Sequence, residues 1–302
     1  MRRREFIAAS MLAFGATTTQ AREPIERTAA ARFRPSLAAY SLRDYFSFMR
    51  GKSQTPRSDG KAIDFFGFID YCAFIKCDAA EITSYFLPPQ VDDGYLRELR
   101  QHAFLNGITI SGTAIGNDFT VNNPQALQRQ IEETIDWIEK AAVLGAPHIR
   151  IFAGTAQQLG ESKEKMSEIC RAVNQCAKTA EARGVFLGIE NHGGIGAAQL
   201  LEVMERVDSS WVGINLDTGN FVSEDPYKEM EVCSPYAVNV QFKASLRTPE
   251  GKAYAADFDR IASILKTSKY RGFVALEYEE ALPYKQIPIV FEKMKTALAR
   301  AE

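Results

Sequence analysis

Residues 185–217 read VFLGIENHGGIGAAQLLEVMERVDSSWVGINLD and contain the pattern that decides the fold. A short apolar run from Val185 to Glu190 is followed by a stretch with helical spacing, Ala197 to Val207, and by a second apolar run, Val212 to Asp217. A strand, a helix and another strand in this order predict two parallel strands joined by a crossover helix. Such crossovers are right-handed in nearly all proteins.

The same alternation runs through the rest of the chain. Between residues 35 and 302, eight apolar runs of strand type are each followed by a stretch with helical spacing. Three helical stretches end at a glycine, which often terminates a helix, and these are Gly107, Gly145 and Gly184. A (β/α)8 barrel typically takes roughly 250 residues. We therefore predict an α/β protein with a single (β/α)8 TIM barrel over residues 35–302 and no internal linker.

The N-terminus has the three parts of a bacterial export signal. Three arginines, Arg2 to Arg4, precede an apolar stretch from Phe6 to Phe14, and small residues follow up to Ala21. The second and third arginines and the residues after them resemble the twin-arginine pattern, although the outer flanking residues differ from the usual ones. We predict a twin-arginine-type signal peptide over residues 1–21, a polar segment over residues 22–34, and export to the periplasm.

Composition and charge limit the partners of the chain. Its 302 residues are 46% hydrophobic and 25% charged, which is enough apolar material for a full globular core. The net charge of −2 and the absence of a long basic block argue against nucleic acid, but not against a small anionic ligand. The N-terminal apolar stretch is too short to cross a hydrocarbon layer of about 30 Å, so we expect no stable membrane anchor. The five cysteines form no CxxC pair, and we interpret them as small buried hydrophobes.

Polar residues at the ends of the last four predicted strands indicate the site, because barrel active sites lie at the C-terminal ends of strands. Side chains alternate along a strand, so residues two apart share a face. The pairs that share a face in this way are Glu190 with His192, Asn215 with Asp217, Gln241 with Lys243, and Glu277 with Glu279.

Three carboxylates are predicted to converge at this end of the barrel. Glu190, Asp217 and Glu277 would raise one another's pKa unless a cation neutralised them. A divalent metal is the simplest such cation. Together with the amide oxygen of Gln241, these carboxylates form an oxygen-rich set that suits Mn²⁺ or Mg²⁺.

The chain from about residue 35 to residue 301 resembles the xylose-isomerase-like barrel superfamily of sugar phosphate isomerases and epimerases, which also includes ketose 3-epimerases and inosose dehydratases. The stretches that carry the likeness are 37–42 (LAAYSL), 144–154 (LGAPHIRIFAG), 188–193 (GIENHG), 215–220 (NLDTGN) and 274–277 (VALE). In that family a Glu, an Asp, a His and a Glu on strands five to eight usually bind one divalent metal. By position, these fall on Glu190, Asp217, Gln241 and Glu277.

Gln241 departs from the family's pattern. The family usually has a histidine here, in a His-x-Lys context, and Lys243 of that context is retained. A neutral amide oxygen in place of an imidazole nitrogen lowers the expected affinity for borderline metals. The resemblance therefore leaves the identity and occupancy of the metal open.

The resemblance implies a metal-dependent sugar isomerase or epimerase that acts on a ketose or keto-sugar through an enediolate. The metal would stabilise the enediolate oxygen, while two glutamates, here Glu190 and Glu277, remove and return the proton. Lys243 would polarise the carbonyl oxygen or form a salt bridge with a neighbouring carboxylate. The residues that we expect to contact the substrate are His192, Arg150, Glu81 and Asn220; for His192 and Glu81 a structural role is the alternative.

Rival functions use the same residues. If a leaving group lies β to the carbonyl, the enediolate expels it, and the protein is a 3-keto-glycoside lyase or dehydratase. A non-catalytic sugar-binding protein with a degenerate metal site is a further alternative, although both glutamates, Asp217 and Lys243 are retained. A phosphoesterase of the endonuclease IV type needs many histidines, and this chain has three.

A homodimer is compatible with the resemblance, but no sequence feature decides the oligomeric state.

One polar loop and the two tryptophans of the chain remain to be interpreted. The polar loop from Ser47 to Lys61 follows the first predicted strand, so it lies on the catalytic face if the barrel is correct. It is either a lid that supplies Arg or Lys to a substrate or a mobile surface loop. Trp137 and Trp211 are interpreted as helix-packing or core residues, because their spacing does not indicate a sugar platform.

Overall fold

A closed barrel of eight parallel strands forms the centre of the molecule and confirms the predicted single (β/α)8 TIM barrel. The computed structural model describes residues 23–302, so the predicted signal peptide lies outside the described residues. Each barrel strand pairs with the next one along the chain, and the last pairs with the first. The barrel strands are β1 (Arg32–Ala38), β4 (Ala79–Thr83), β5 (Thr109–Ala114), β6 (His148–Ile151), β7 (Phe186–Glu190), β8 (Val212–Asp217), β9 (Ala237–Phe242) and β12 (Arg271–Leu276); the short strands between them are β2 (Phe48–Met49), β3 (Lys52–Ser53), β10 (Ser245–Arg247) and β11 (Ala253–Ala255).

Helices surround the barrel and follow the strands along the chain. Their bounds are α1 (Phe65–Phe74), α2 (Asp93–Leu105), α3 (Pro124–Leu144), α4 (Ala156–Leu159), α5 (Lys163–Arg183), α6 (Ala197–Arg206), α7 (Pro226–Cys233), α8 (Phe258–Thr267) and α9 (Pro283–Ala301). The side chain of Asn123 accepts a hydrogen bond from the first turn of α3, as a helix N-cap does. Gly145 and Gly184 follow α3 and α5 with left-handed φ of 79° and 66°, which explains why these helices end where the sequence predicts. None of the helices in residues 23–302 is both long and apolar enough to cross a membrane.

The first strand begins earlier than predicted. Arg32 to Arg34 belong to β1 and pair with β12, whereas the sequence suggested a polar segment up to residue 34. Phe33 is buried, while the charged residues on either side of it face outward, and the Arg34 guanidinium stacks on Phe273 at 4.5 Å. A single apolar residue between two arginines is too short a pattern to be recognised as a strand. The short apolar run from Leu37 to Ser41, which the sequence suggests as the first strand, belongs to β1 only up to Ala38, and the residues from Ala39 to Tyr45 form a 3₁₀ helix.

The apolar core lies between the barrel and the helices. Helix α3 shows the pattern: Ile131 and Ile138 are buried against the barrel, whereas Trp137 is only partly buried. All five cysteines are free and buried, in agreement with their interpretation as small hydrophobes.

Two hairpins rise from loops at the C-terminal end of the barrel. The predicted loop from Ser47 to Lys61 contains the hairpin of β2 and β3, whose turn places Arg50 and Gly51 at left-handed φ of 49° and 74°. A non-glycine residue rarely adopts this conformation. The backbone N–H of Arg50 donates to the carbonyl oxygen of Tyr85 at 2.7 Å, which fixes the turn beside the loop after β4. The second hairpin pairs β10 with β11 and carries Arg247.

Candidate active site

The ends of the barrel strands surround a cleft of about 290 Å³. This volume is close to the lower end of the range found for small-molecule sites. Nine residues were predicted for the site, and the structure places six of them in the cleft wall and three outside it. Those in the wall are Glu190, Glu277, Lys243, His192, Arg150 and Asn220. Those that do not line the cleft are Asp217, Gln241 and Glu81, all of which are fully or almost fully buried.

Glu190, at the end of β7, is held by two neighbours. The Nε of Arg150 lies 2.8 Å from Oε2 of Glu190, and the side-chain amide of Asn220 donates to Oε1 at 2.8 Å. Burial raises the pKa of Glu190 above its usual range, although Arg150 and Lys243 act in the opposite direction. The carboxyl group is thus fixed in position and poised to take up a proton.

Arg150 is fixed from several sides. Its Nη1 donates to the backbone oxygen of Ile115 at 2.7 Å and to the hydroxyl of Tyr85 at 3.2 Å. Its guanidinium also lies 4.2 Å from the ring centre of Phe152. The ring of Phe152 packs in turn against His192, with 4.5 Å between centroids. Arg150 therefore supplies a fixed positive charge in the wall, and His192 lies at the exposed mouth beside it.

Lys243 follows β9 and contacts three carboxylates. Its Nζ lies 2.7 Å from Oε1 of Glu279, 2.9 Å from Oε1 of Glu277 and 3.3 Å from Oδ2 of Asp217. Burial by itself lowers the pKa of Lys243, but these carboxylates outweigh it and raise the pKa well above its usual range. The ammonium group thus carries its charge at neutral pH and is shared by the three carboxyl groups.

Burial raises the pKa of both Glu277 and Asp217. In each case desolvation is the largest cause, Lys243 opposes it, and neighbouring carboxylates add to it. Asp217 accepts the backbone N–H of Gly219 at 2.8 Å through Oδ1, and its other oxygen faces Lys243. Asp217 therefore acts beneath the cleft as a partner of the ammonium group.

A closed hydrogen-bond network lies below these residues inside the barrel. Glu81 accepts from the side-chain amide of Gln241 at 2.9 Å and from that of Asn239 at 3.1 Å. Asn215 donates to Oε1 of Gln241 at 2.7 Å and accepts from Asn239 at 2.8 Å. Burial raises the pKa of Glu81 to about 7, and Glu277 adds to this effect, while its hydrogen-bond donors oppose it. Glu81, predicted as a substrate contact, is thus part of an internal network.

The predicted metal ligands do not fit a divalent metal as they are arranged. Gln241 turns its oxygen to Asn215, and the positive charge among Asp217 and Glu277 is the ammonium group of Lys243. Within residues 23–302, no group of three or more His, Cys, Asp and Glu side chains is arranged to hold a metal ion. The assignment of Mn²⁺ or Mg²⁺ stays a prediction, and the chemistry below is derived from the side chains alone.

Several residues of the cleft were not assigned to the site from the sequence. Glu279 shares a face with Glu277 and contacts Lys243, so its position two residues later was the available signal. Arg50 and Arg247 reach the cleft from the two hairpins, and Tyr40, Tyr85 and Phe152 complete the wall. For Arg50 the signal was weak: a lid that supplies an Arg or Lys was one of two interpretations of the polar loop, and the sequence did not indicate which residue would be supplied.

An α/β barrel with paired acids and cations at the C-terminal ends of its strands defines the class of this protein. The model of the family described as xylose isomerase-like TIM barrel matches residues 69–295. The chain therefore belongs to the xylose isomerase-like TIM barrel family.

The chain is similar to three proteins with different names. The chain is 27% identical over 150 residues to an inosose dehydratase of Halalkalibacterium halodurans and 27% identical over 140 residues to a probable endonuclease 4 of Campylobacter concisus. These matches cover 41% and 43% of this chain, and the chain spans about half the length, 49%, of each relative. The structure of a D-psicose 3-epimerase from Clostridium cellulolyticum H10 superimposes with a TM-score of 0.68, over 88% of this chain and 99% of that one, at 16% identity. The last match shows the shared fold, and all three names describe enzymes.

Proposed function

We propose that this protein is a sugar isomerase or epimerase that enolises a ketose or keto-sugar in the cleft at the C-terminal ends of the barrel strands. The observation that carries this proposal is the presence of two buried glutamates in one cleft, each in contact with a cation: Glu190 with Arg150, and Glu277 with Lys243. Glutamates with a raised pKa are suited to proton transfer near neutral pH. The similarity to a dehydratase and to a sugar epimerase supports a carbohydrate substrate.

The reaction needs one base, one acid and a group that stabilises negative charge on oxygen. One glutamate takes the proton from the carbon next to the carbonyl, the C–H electron pair forms the C=C bond, and the carbonyl π electrons move to oxygen. An N–H of Lys243 donates to this oxygen and stabilises the enediolate. The other glutamate, in its protonated form, returns a proton to the opposite face and completes an epimerisation.

The three N–H groups of Lys243 all face carboxylates. A substrate oxygen can therefore accept a hydrogen bond from Lys243 only if it displaces one of these carboxylates. Glu279 is the candidate, because its side chain is 39% exposed whereas those of Asp217 and Glu277 are 1% and 10% exposed. We expect the carbonyl oxygen of the substrate to take the place of the Glu279 carboxylate beside Nζ. The substrate thereby acquires the donor that polarises its carbonyl.

The proposal is tested by NMR of the mature protein with a panel of ketoses and 3-keto-glycosides in D₂O. We expect deuterium to appear at a carbon next to the carbonyl, and we expect Glu277→Gln and Glu190→Gln to slow this exchange about 10²–10⁴-fold. The variant Glu280→Gln is a matched control, because Glu280 is exposed and does not line the cleft. Unchanged exchange in the Glu277→Gln protein would refute the two-glutamate mechanism.

The products separate the rival functions. An epimer or an isomer identifies an epimerase or isomerase. An unsaturated keto-sugar identifies a lyase if an alcohol or a sugar is released with it, and a dehydratase if water is released. Sugar binding without exchange identifies a non-catalytic binding protein. Export through a twin-arginine signal stays a separate prediction, and this experiment tests neither export nor the oligomeric state.

A further inference from the structure

A second cavity, of about 320 Å³, lies beside the active cleft. Two residues, Arg50 and Tyr85, line both spaces, so the two cavities are adjacent and share part of a wall. Its far side is formed by helix α3, which contributes Gln130, Glu133 and Trp137. Each of the two spaces is close to the lower end of the volume range of small-molecule sites.

The shared wall has a fixed part and an exposed part. Tyr85 is buried and receives a hydrogen bond from Arg150 at 3.2 Å. The Arg50 guanidinium lies 4.4 Å from the centre of the Tyr85 ring, and Arg50 is exposed. Within the described part of the chain, this guanidinium has no carboxylate partner within ion-pair distance. Arg50 therefore has hydrogen-bond donors to offer to a ligand that passes from one space into the other.

Gly116 lies directly beside the wall that the two spaces share. It lines the second cavity, and a Cβ atom at this position would lie 3.1 Å from the hydroxyl oxygen of Tyr85 and 3.4 Å from Cζ of Arg50. A side chain here would thus crowd both residues of the shared wall. The absence of a side chain at Gly116 leaves room beside the wall.

The lining of the second cavity combines an aromatic ring with polar side chains. Trp137 is partly buried, and Glu133 is exposed and linked to Gln130 by a hydrogen bond of 3.0 Å. An aromatic face beside a few placed hydrogen-bonding groups is typical of sites for small amphipathic ligands, and a sugar ring has this character: its C–H face packs on an aromatic ring and its hydroxyls bond to acids and amides. Trp137, interpreted from the sequence as a packing residue, therefore also forms part of a cavity wall.

We infer that the second cavity binds the second unit of a glycoside whose keto-sugar unit lies in the active cleft. The inference rests on the proposed function, because it takes the active cleft as the site of the keto-sugar. It identifies the substrate class as a glycoside or disaccharide, with the bond between its two units passing Tyr85 and Arg50. A glycosidic oxygen in that position is a leaving group for the elimination reaction considered above.

The chain contains two tryptophans, which allows a direct test. Trp211 immediately precedes β8, whose other end carries Asp217, so Trp211 lies at the end of the barrel opposite the cleft. The variant Trp211→Phe leaves Trp137 as the single tryptophan. We would titrate this variant with sucrose, lactose and cellobiose, with the 3-keto forms of these disaccharides, and with glucose, fructose and 3-ketoglucose, and record tryptophan emission and calorimetric heats.

We expect the disaccharides to shift the emission of Trp137 and to bind at least tenfold more tightly than the monosaccharides, which leave the emission unchanged. Trp137→Ala and Glu133→Ala should each weaken disaccharide binding about tenfold without affecting monosaccharides. Glu133 is exposed, so its variant tests the cavity even if Trp137→Ala folds poorly.

Equal affinity for both classes of sugar, with an unchanged Trp137 signal, would overturn the inference while the proposed function stands if monosaccharides still exchange deuterium. If no sugar binds or exchanges, both the inference and the proposed function fail.

Discussion

The side-chain nitrogen of Lys243 lies 2.9 Å from Oε1 of Glu277; the two residues directly follow β9 and β12, which are neighbours in the barrel. The same nitrogen contacts Asp217 and Glu279, so one ammonium group is shared by three carboxyl groups contributed by β8 and by the residues after β12. Buried charges of one sign are costly unless they are paired. Lys243 is therefore the electrostatic support of the site and, in the proposed mechanism, the donor to the developing oxyanion.

Replacing Lys243 by Met should weaken folding and catalysis together. Loss of the ammonium group leaves the buried carboxylates of Asp217 and Glu277 without a cation, and breaking a buried pair in this way costs about 3–5 kcal/mol. Loss of a donor to the enediolate oxygen costs about 10²–10³-fold in turnover. Urea denaturation and the deuterium-exchange rate measure the two effects.

The matched control for this variant is Lys228→Met. Lys228 forms an exposed ion pair with Glu231 at 3.0 Å, and exposed pairs contribute little to stability. If the two lysine variants unfold at the same urea concentration, the assigned role of Lys243 is wrong.

Metal binding can be tested on the same pair of proteins. Because Lys243 occupies the space among the carboxylates and Gln241 turns its oxygen to Asn215, we expect Mn²⁺ at micromolar concentration to leave the thermal midpoint of the wild-type protein unchanged. Lys243→Met should gain a Mn²⁺-dependent rise in its midpoint, since the freed carboxylates then need a cation. Thermal shift with and without Mn²⁺ and elemental analysis of the purified protein provide the measurement.

The opposite result has an equally clear meaning. Stoichiometric Mn²⁺ or Mg²⁺ in the purified wild-type protein, with exchange lost on chelation, would establish the metal that the sequence predicts. Lys243 and Gln241 would then have to move away from the positions described here.

The sequence predicted the barrel and the side of it that carries the site, because both follow from local patterns. Alternation of strand and helix runs along the chain, and the C-terminal ends of parallel strands meet by topology. The grouping of Glu190, Glu277 and Lys243 in one cleft follows from these two facts. The early start of β1 was missed, because Phe33 stands alone between two arginines.

The height of each side chain inside the barrel was not predictable from the sequence. Asn215 and Asp217 share a face, yet Asn215 belongs to the internal network with Gln241 and Glu81, while Asp217 faces Lys243. The stagger of neighbouring strands in a closed barrel sets these levels, and spacing along a single strand does not contain it. The presence of Arg50 in the cleft wall was not predictable for another reason. Its position depends on a hairpin whose turn is fixed by a hydrogen bond to the backbone oxygen of Tyr85.

Export is a prediction about residues outside the described part of the chain, and it has a direct test. A double substitution, Arg3→Lys with Arg4→Lys, should retain the full-length protein in the cytoplasm, because the twin-arginine signal is read through this pair. Cell fractionation and the mass of the N-terminus measure the outcome, with the single substitution Arg2→Lys as the control. Normal processing of the double variant would contradict a twin-arginine route.

Acid should destabilise the protein through His148. Burial lowers the pKa of His148 to about 4, the nearby Arg150 adds to this, and a hydrogen bond to the backbone oxygen of Ser111 opposes it. In the unfolded chain the pKa of a histidine is about 6.5. Above this pH both states hold a neutral ring, so His148 adds no pH dependence. As the pH falls from about 6.5 to about 4, only the unfolded chain takes up the proton, and the free energy of unfolding decreases.

The variant His148→Asn removes this titration and keeps an N–H that can donate to the carbonyl oxygen of Ser111, 2.9 Å from the ring nitrogen in the native protein. One pKa unit corresponds to about 1.4 kcal/mol, so the difference between the two pH profiles should reach on the order of 3 kcal/mol at pH 4. Urea denaturation at a series of pH values measures it. The variant is expected to be less stable than the wild type at pH 7, because asparagine leaves part of the buried ring space empty, but to lose less stability on acidification. Parallel pH profiles for the two proteins would contradict the prediction, because they would mean that the pKa of His148 is the same in the folded and the unfolded chain.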